Sequence, residues 1–335
     1  MKLTLLKKVT DPIVCLFWKV QIRILRTCPP LCGAVVKDSL GAANSFGVWM
    51  KTLLRITAQI PYALYLHWRN KRRNRVVLSR FSIAVTMRCT LNCDKCLIHI
   101  PDLELHNDVS ACDLICDIQA LFSCVDYIYV ITLSGGEAFL HPDLDKIIQV
   151  CAESGKVGDI CVQTNGTVIP GTKALAALRH AKATVQISKY SQALQPDVDT
   201  LKNILRINGI CYTHLSSSFW RDKGVFGQLQ SGSEKRRFSV CIQQLCFPCI
   251  NGKLFLCSES ALLIEAGLIP DCQDDYIDLR SACLSPYEFR KQWEKMLKKR
   301  AVSACSYCLG ITHNTRKIPV AAQRYFDRNE ENNEE

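Results

Sequence analysis

The sequence has no uninterrupted run of 18 or more apolar residues, the length a membrane-spanning helix needs. Its first apolar stretch is broken by Lys19 and Arg23, which also makes it a poor secretory leader. Acidic side chains are nearly missing from the first 80 positions, where 15 Lys and Arg face only Asp11 and Asp38. That segment carries +13 and the rest −2 (27 basic against 29 acidic), so it supplies all of the net +11. Histidines at metal-ligand spacing are also lacking, and His141, His180 and His214 read as single structural residues. No nucleic-acid module with interleaved aromatic and basic residues is present, which argues against a nucleic-acid partner.

Cysteine is abundant: 20 in 335 residues. Several lie inside apolar runs (Cys15, Cys116, Cys161, Cys211) and no leader precedes them, so a disulfide scaffold is not expected. A reducing cytoplasm, such as that of an anaerobe, fits better. An apolar content of 48% with 22% charged residues is that of a globular chain, long enough for one large domain and an appendage.

The organising stretch is Ser82 to Cys96, SIAVTMRCTLNCDKC. Ser82 to Met87 reads as a short buried strand and runs directly into Cys89, Cys93 and Cys96. Three thiolates so close repel one another and resist burial as anions, so a shared cation reconciles them. The count matters. A closed zinc site wants four protein ligands, whereas three cysteines on a four-iron cluster leave one iron open to a non-protein ligand.

From residue 80 the chain alternates strands, near 82–87, 128–134, 159–164, 184–188 and 209–214, with helices near 109–123, 141–153, 172–181 and 197–206. That alternation predicts a parallel sheet with helices on its outer face and ligands at the carboxyl ends of its strands. The second strand ends in Ser134-Gly135-Gly136-Glu137, where two glycines permit close backbone approach to a ligand and a carboxylate can accept from an ammonium group. The third ends in Thr164-Asn165-Gly166, first of all a turn signal.

Together, C-x3-C-x2-C after a first strand and GGE at the tip of the next resemble the radical S-adenosylmethionine (radical SAM) superfamily. That resemblance implies an α/β fold, a partial (β/α)6 TIM-like barrel. It implies a [4Fe-4S] cluster on Cys89, Cys93 and Cys96 whose open iron chelates S-adenosylmethionine. Gly135, Gly136 and Glu137 would hold the methionine amine, with Thr164, Asn165 and Ser188 on the ribose and substrate side. Lys189 and Tyr190 would meet substrate or the methionine carboxylate. Reductive cleavage would give a 5′-deoxyadenosyl radical that takes hydrogen from a substrate, with flavodoxin or ferredoxin as reductant. The chain departs from the superfamily at Lys95, where an aromatic residue is usual.

Cysteines return as Cys241, Cys246, Cys249 and Cys257, around an Asn251-Gly252 hairpin signal, and then as Cys305-x2-Cys308. This part resembles the shortened auxiliary-cluster (twitch) domain of many such enzymes, which implies a second [4Fe-4S] cluster. Cys257, Cys305 and Cys308 match by position, and the fourth ligand is chosen as Cys246 over Cys241 and Cys249. A zinc site from Cys246, Cys249, Cys305 and Cys308 is the competing reading. Such domains accompany enzymes of peptides or protein side chains, so that substrate class is expected, with epimerisation or thioether crosslinking as possible outcomes. A non-catalytic iron–sulfur or zinc-binding assembly module is the alternative.

The expected organisation is a basic helical segment 1–79, a barrel 80–235, an auxiliary-cluster domain 236–315 and a tail 316–335 whose acidic end cannot order itself. In the first segment, Trp49, Leu53, Ile56, Ile60 and Leu64 recur at helical spacing, off the line of Lys51 and Arg55, ahead of Arg69, Lys71, Arg72, Arg73 and Arg75. Such a helix either covers the body of the enzyme or lies on an anionic membrane surface.

Overall fold

The structure is a computed structural model that describes residues 19–20, 22–30, 60–103, 108–217, 219–312 and 314–324. Strand β1 (Val77–Leu78) leads into β2 (Phe81–Thr86), which turns Phe81, Ile83 and Val85 into the core. Helix α1 (Ala111–Cys124) starts where the Ser110 side chain accepts from the Cys112 N–H, and it buries Leu114, Ile118 and Leu121 at helical spacing. The alternation continues through β3 (Tyr127–Gly135), α2 (Leu144–Glu153), β4 (Val157–Thr164), α3 (Thr172–His180), β5 (Thr184–Lys189), α4 (Val198–Ile207) and β6 (Cys211–Ser216). These follow the sequence-based strands and helices closely.

Strands β2 to β6 pair in parallel in chain order, the open α/β barrel that the alternation predicts. Beyond β7 (Trp220–Arg221) and α5 (Glu234–Val240) comes the hairpin β8 (Pro248–Ile250) and β9 (Lys253–Phe255). Asn251 and Gly252 both take positive φ (49° and 75°), which a tight two-residue turn demands. β8 pairs in parallel with β2, so the hairpin extends the barrel sheet on the edge opposite β6. α6 (Ser258–Glu265), β10 (Tyr276–Asp278) and α7 (Pro286–Leu297) complete this region.

Two segments differ from expectation. Part of the stretch expected to be tail is built into the molecule: β11 (Lys317–Ile318) pairs with β7, and Ala322, Gln323 and Arg324 bond to the cysteine loop. Its acidic end, 325–335, lies outside the described residues. In the N-terminal segment, Ile60 and Ala63 pack against Leu25 and Cys28, yet Leu64, expected on the same inner stripe, is 49% exposed. Trp49, Leu53 and Ile56 lie outside the described residues, as does Cys15. Arg26 is no surface charge. Its guanidinium donates to Gln244 Oε1 and to the carbonyls of Met296 and Lys299, and sits 5.0 Å over Phe238. Among the described residues no helix is long and apolar enough to cross a membrane.

Candidate active site

The cysteine loop leaves β2 at its carboxyl end beside the end of β3. Gly136 N–H donates to Thr86 O at 2.9 Å and Glu137 N–H to Arg88 O at 2.8 Å, tying the two strand ends together. Glycine is required here by contact. A Cβ on Gly135 (φ 137°) would fall 2.0 Å from Thr86 O, and one on Gly136 would fall 2.0 Å from Arg88 O. Asp108 fixes the same corner, accepting from Thr86 Oγ1 at 2.6 Å and pairing with Arg88 at 2.7 Å.

One cavity of about 320 Å³ collects the sequence-predicted residues at the carboxyl ends of β2 to β6. Cys89, Cys93 and Cys96 line it with Gly135, Gly136, Thr164, Asn165, Ser188, Lys189 and Tyr190. The sulfurs accept N–H donors: Cys89 from Leu91 N at 3.5 Å and Asn165 Nδ2 at 3.6 Å, and Cys93 from Gln323 Nε2 at 3.3 Å. Burial pushes the Cys93 thiol up to about 11, with the neighbouring cysteines adding to it against the Gln323 bond. Donors aimed at sulfurs that would otherwise stay protonated suit thiolates bound to a cation.

Glu137 departs from its expected place. Its carboxylate is fully buried and turned toward β4, accepting from Thr164 Oγ1 (2.8 and 2.9 Å), Asn165 N (2.7 Å) and Phe139 N (3.0 Å), and it does not line the cavity. Burial raises its pKa to about 7 in spite of these bonds. Glu137 therefore braces the wall, and the cavity face there is the Gly135-Gly136 backbone. Lys95 does not line this cavity and instead lines a separate pocket with Cys96, Arg221, Arg324 and Asp102. His141 is structural: Nε2 contacts Val109 O at 3.0 Å and Nδ1 accepts from Asp143 N.

Sequence reasoning missed four residues of this neighbourhood. Trp220 closes the cavity rim edge-on to Tyr190, 6.1 Å between ring centres. Gln323 reaches Cys93 from a segment read as tail. Lys223 and Glu259 form a buried ion pair at 2.5 Å behind Cys96, with Lys223 also on Leu97 O and His99 Nε2 3.0 Å from Glu259. A lone Lys and a lone Glu 36 positions apart carry no pattern that could have revealed them.

The second cysteine field gathers elsewhere. Cys241, Cys257, Cys305 and Cys308 line one apolar cavity between α5, the start of α6 and the C-terminal cysteine turn, and Cys246 does not line it. Here too sulfurs accept backbone N–H groups: Cys241 from Ile311 at 3.3 Å, Cys257 from Ser260 at 3.5 Å and Cys308 from Gly310 at 3.2 Å. Cys246 instead contacts Gln243 Oε1 at 3.4 Å, and Cys249 is buried in the β8 ladder near Asp117 and Arg280. The cavity that gathers Cys257, Cys305 and Cys308 thus takes in Cys241, which the chain brings in at the end of α5, and not the expected Cys246. Of the Cys246, Cys249, Cys305, Cys308 set, only Cys305 and Cys308 line this cavity. Among the described residues no three His, Cys, Asp or Glu side chains converge on a single metal ion. Zinc needs its donors about 2.0–2.3 Å from one point; a four-iron cluster takes each thiolate on a different iron and so accepts a wider set.

No family model matches the chain. GTP 3′,8-cyclase of Clostridium acetobutylicum is 30% identical over 89 residues, 26% of this chain and 27% of that enzyme, so the match spans about a quarter of the relative's length. Among solved structures, BtrN in complex with AdoMet and 2-DOIA is 14% identical, covering 75% of this chain and 98% of that one at a TM-score of 0.43. SuiB of Streptococcus suis bound to precursor peptide SuiA is 18% identical over 48% of this chain and 37% of that one, TM-score 0.36. Native anSMEcpe with bound AdoMet and a peptide is 15% identical over 42% and 44%, TM-score 0.34. These superpositions are partial. A parallel α/β sheet brings a three-cysteine loop and a glycine cradle together in one cavity. The chain carries the C-x3-C-x2-C and GGE motifs there and is similar over 89 residues to GTP 3′,8-cyclase, a likeness to the radical SAM enzymes.

Proposed function

We propose that the protein binds a [4Fe-4S] cluster on Cys89, Cys93 and Cys96 and S-adenosylmethionine in the adjoining cavity, and uses them to abstract hydrogen from a substrate. The observation that carries this is the meeting of the cysteine trio and the Gly135-Gly136 backbone on one cavity at the strand ends. When bound, the cluster supplies one electron to the sulfonium of the cofactor. The chain's own residues hold, orient and exclude water. The Gly135 and Gly136 backbone offers carbonyls to the methionine amine. Thr164 and Asn165, fixed by Glu137, present polar groups further along the wall, and Ser188, Lys189 and Tyr190 supply the next strand end. Leu215, Trp220 and Val320 form apolar parts of the lining, which limits quenching of a reactive intermediate by solvent.

A second [4Fe-4S] cluster on Cys241, Cys257, Cys305 and Cys308 belongs to the same proposal, supported by their common apolar cavity and the N–H donors on their sulfurs. The substrate class follows from the resemblance: a peptide or a protein side chain, with a flavodoxin or ferredoxin as electron donor. Dithionite and S-adenosylmethionine, supplied anaerobically to reconstituted protein, should release 5′-deoxyadenosine. Release undiminished in Cys93→Ala protein would refute the assignment.

A further inference from the structure

We propose that the outer face of the helix over residues 60–72 seats the protein on an anionic lipid surface. This inference is independent of the chemistry of the cavity. Tyr62, Tyr65, Trp68, Arg69 and Arg72 fall in one stripe about 120° wide on an α-helix, opposite the buried Ala63. The aromatics are turned outward: Tyr62 is 64% exposed, Tyr65 51% and Trp68 53%.

They also form a ladder with the cations. Tyr62 and Tyr65 rings lie 6.5 Å apart and Tyr65 and Trp68 6.2 Å, with the Arg69 guanidinium 5.9 Å from Tyr65 and that of Arg72 4.8 Å from Trp68. Rings with an apolar body and a polar edge, held beside guanidinium groups, match the boundary between acyl chains and headgroups. Val20 and Ile24, 48% and 45% exposed beside Lys19 and Arg23, extend this character onto the helical stretch that packs against Ala63. Charge selects the occupant. The first 80 residues hold +13 with two acidic side chains, so an anionic surface is the complementary one. Arg26, bonded to Gln244 and to the end of α7, fastens this layer to the body of the enzyme, so docking would hold the barrel in a fixed orientation to the lipid.

The test is sedimentation of the full-length protein with vesicles of phosphatidylcholine alone or with about 30% phosphatidylglycerol. Binding is expected only to the anionic vesicles and should weaken as salt rises. Arg69→Glu and Arg72→Glu should each weaken it at least about fivefold, the worth of one basic residue at such a surface. Tyr65→Ala with Trp68→Ala should weaken it further, whereas Ile207→Ala, at an equally exposed site on α4, should not. No binding to anionic vesicles at low salt, or binding indifferent to all four changes, overturns the proposal. So does tighter binding to a nucleic-acid duplex that depends on the same side chains. Should a variant fail to fold, the wild-type contrast between the two vesicle types decides alone.

Discussion

The two cysteine fields solve the same problem in opposite ways. In the first, three cysteines come from one eight-residue loop and stand at the lip of a cavity whose other walls mix strand-end backbone and polar groups with apolar side chains such as Leu215, Trp220 and Val320. In the second, four come from separate places, the end of α5, the start of α6 and a turn near 305, and close on an apolar space. Burial is heavier there: Cys241, Cys257 and Cys308 are all buried, whereas in the loop only Cys93 is, and burial pushes the Cys241 and Cys305 thiols up to about 12 while Cys257 and Cys93 both stand at about 11. A site that must admit a ligand keeps one side free of protein donors, while a fully ligated one can be sealed. On the proposed reading, the contrast would separate a centre that does chemistry on a ligand from one that stores or relays electrons.

Replacing single cysteines tests this most severely. Reconstituted wild type should hold about eight irons and Cys241→Ala about four, the count expected when the proposed second cluster needs all four of its thiolates. Cys246→Ser should keep the full count, because that side chain lies outside the cavity. Cys93→Ala should lose 5′-deoxyadenosine release while keeping the second cluster. Equal iron loss in the Cys241 and Cys246 variants would erase the distinction between the fields.

The first field was legible as a set and the second only in part, for physical reasons: Cys257, Cys305 and Cys308 were expected together and share a cavity, but Cys241 was not the cysteine chosen to join them. Cys89, Cys93 and Cys96 are contiguous after a β-branched strand, and neighbouring thiolates can hardly be explained otherwise. Local pattern also revealed the barrel strands, because β3 is a nearly unbroken apolar run and β4 holds the buried run Ile160-Cys161-Val162, each followed by a glycine turn. The second field is set by tertiary approach. Cys241 and Cys246 flank the 3₁₀ segment Ile242–Leu245 and Cys249 lies in the hairpin's first strand, so chain position alone does not tell which of them joins Cys308, and Cys241 does. Segment 320–324 has no apolar period to announce it, yet Val320 lines the cavity and Gln323 touches Cys93. Glu137 was legible as a motif but not in direction: the Thr164 hydroxyl and Asn165 N–H pull it into the wall.

Between the two fields lies the Lys223–Glu259 pair, with both side chains 4% exposed. Removing one partner strands a buried charge, so Lys223→Met should cost about 3–5 kcal/mol in stability, measured by denaturant unfolding. Burial pushes Glu259 up, but Lys223 and His99 together hold it down at about 2. A depressed carboxyl contributes stability that is present above its ordinary value of 4.5 and is lost as pH falls toward about 2. The variant should lack that acid transition. A Lys223→Met protein as stable as wild type would mean that the fields are joined only by packing.

Glu137 should show the opposite sign. Burial raises its pKa from 4.5 to about 7, so the unfolded chain loses this proton first as pH rises. Stability relative to Glu137→Gln should be greatest below pH 4.5 and fall by roughly 3 kcal/mol on approaching pH 7, since each tenfold change in proton affinity is worth about 1.4 kcal/mol. Parallel curves for the two proteins across that window would show that the bonds from Thr164, Asn165 and Phe139 fully offset the burial of the carboxylate.

The smallest effect belongs to Gln323, and it bears most directly on why the open centre is built as it is. Its amide donates to Cys93 Sγ while its Oε1 accepts from Asn92 N at 2.9 Å, so one side chain both closes the loop and places a positive dipole on a sulfur. N–H bonds to ligand sulfurs stabilise the more negative, reduced cluster and raise its potential. Gln323→Leu keeps most of the volume but removes the dipole, and should lower the potential of the first cluster by on the order of tens of millivolts. The second cluster, whose sulfurs take their donors from Ile311, Ser260 and Gly310, should not move. Redox titration followed by electron paramagnetic resonance reads both centres in one sample. A shift of both together would show that the C-terminal segment acts on the fold as a whole, whereas no shift in either would make Gln323 a loop closure without electrostatic effect.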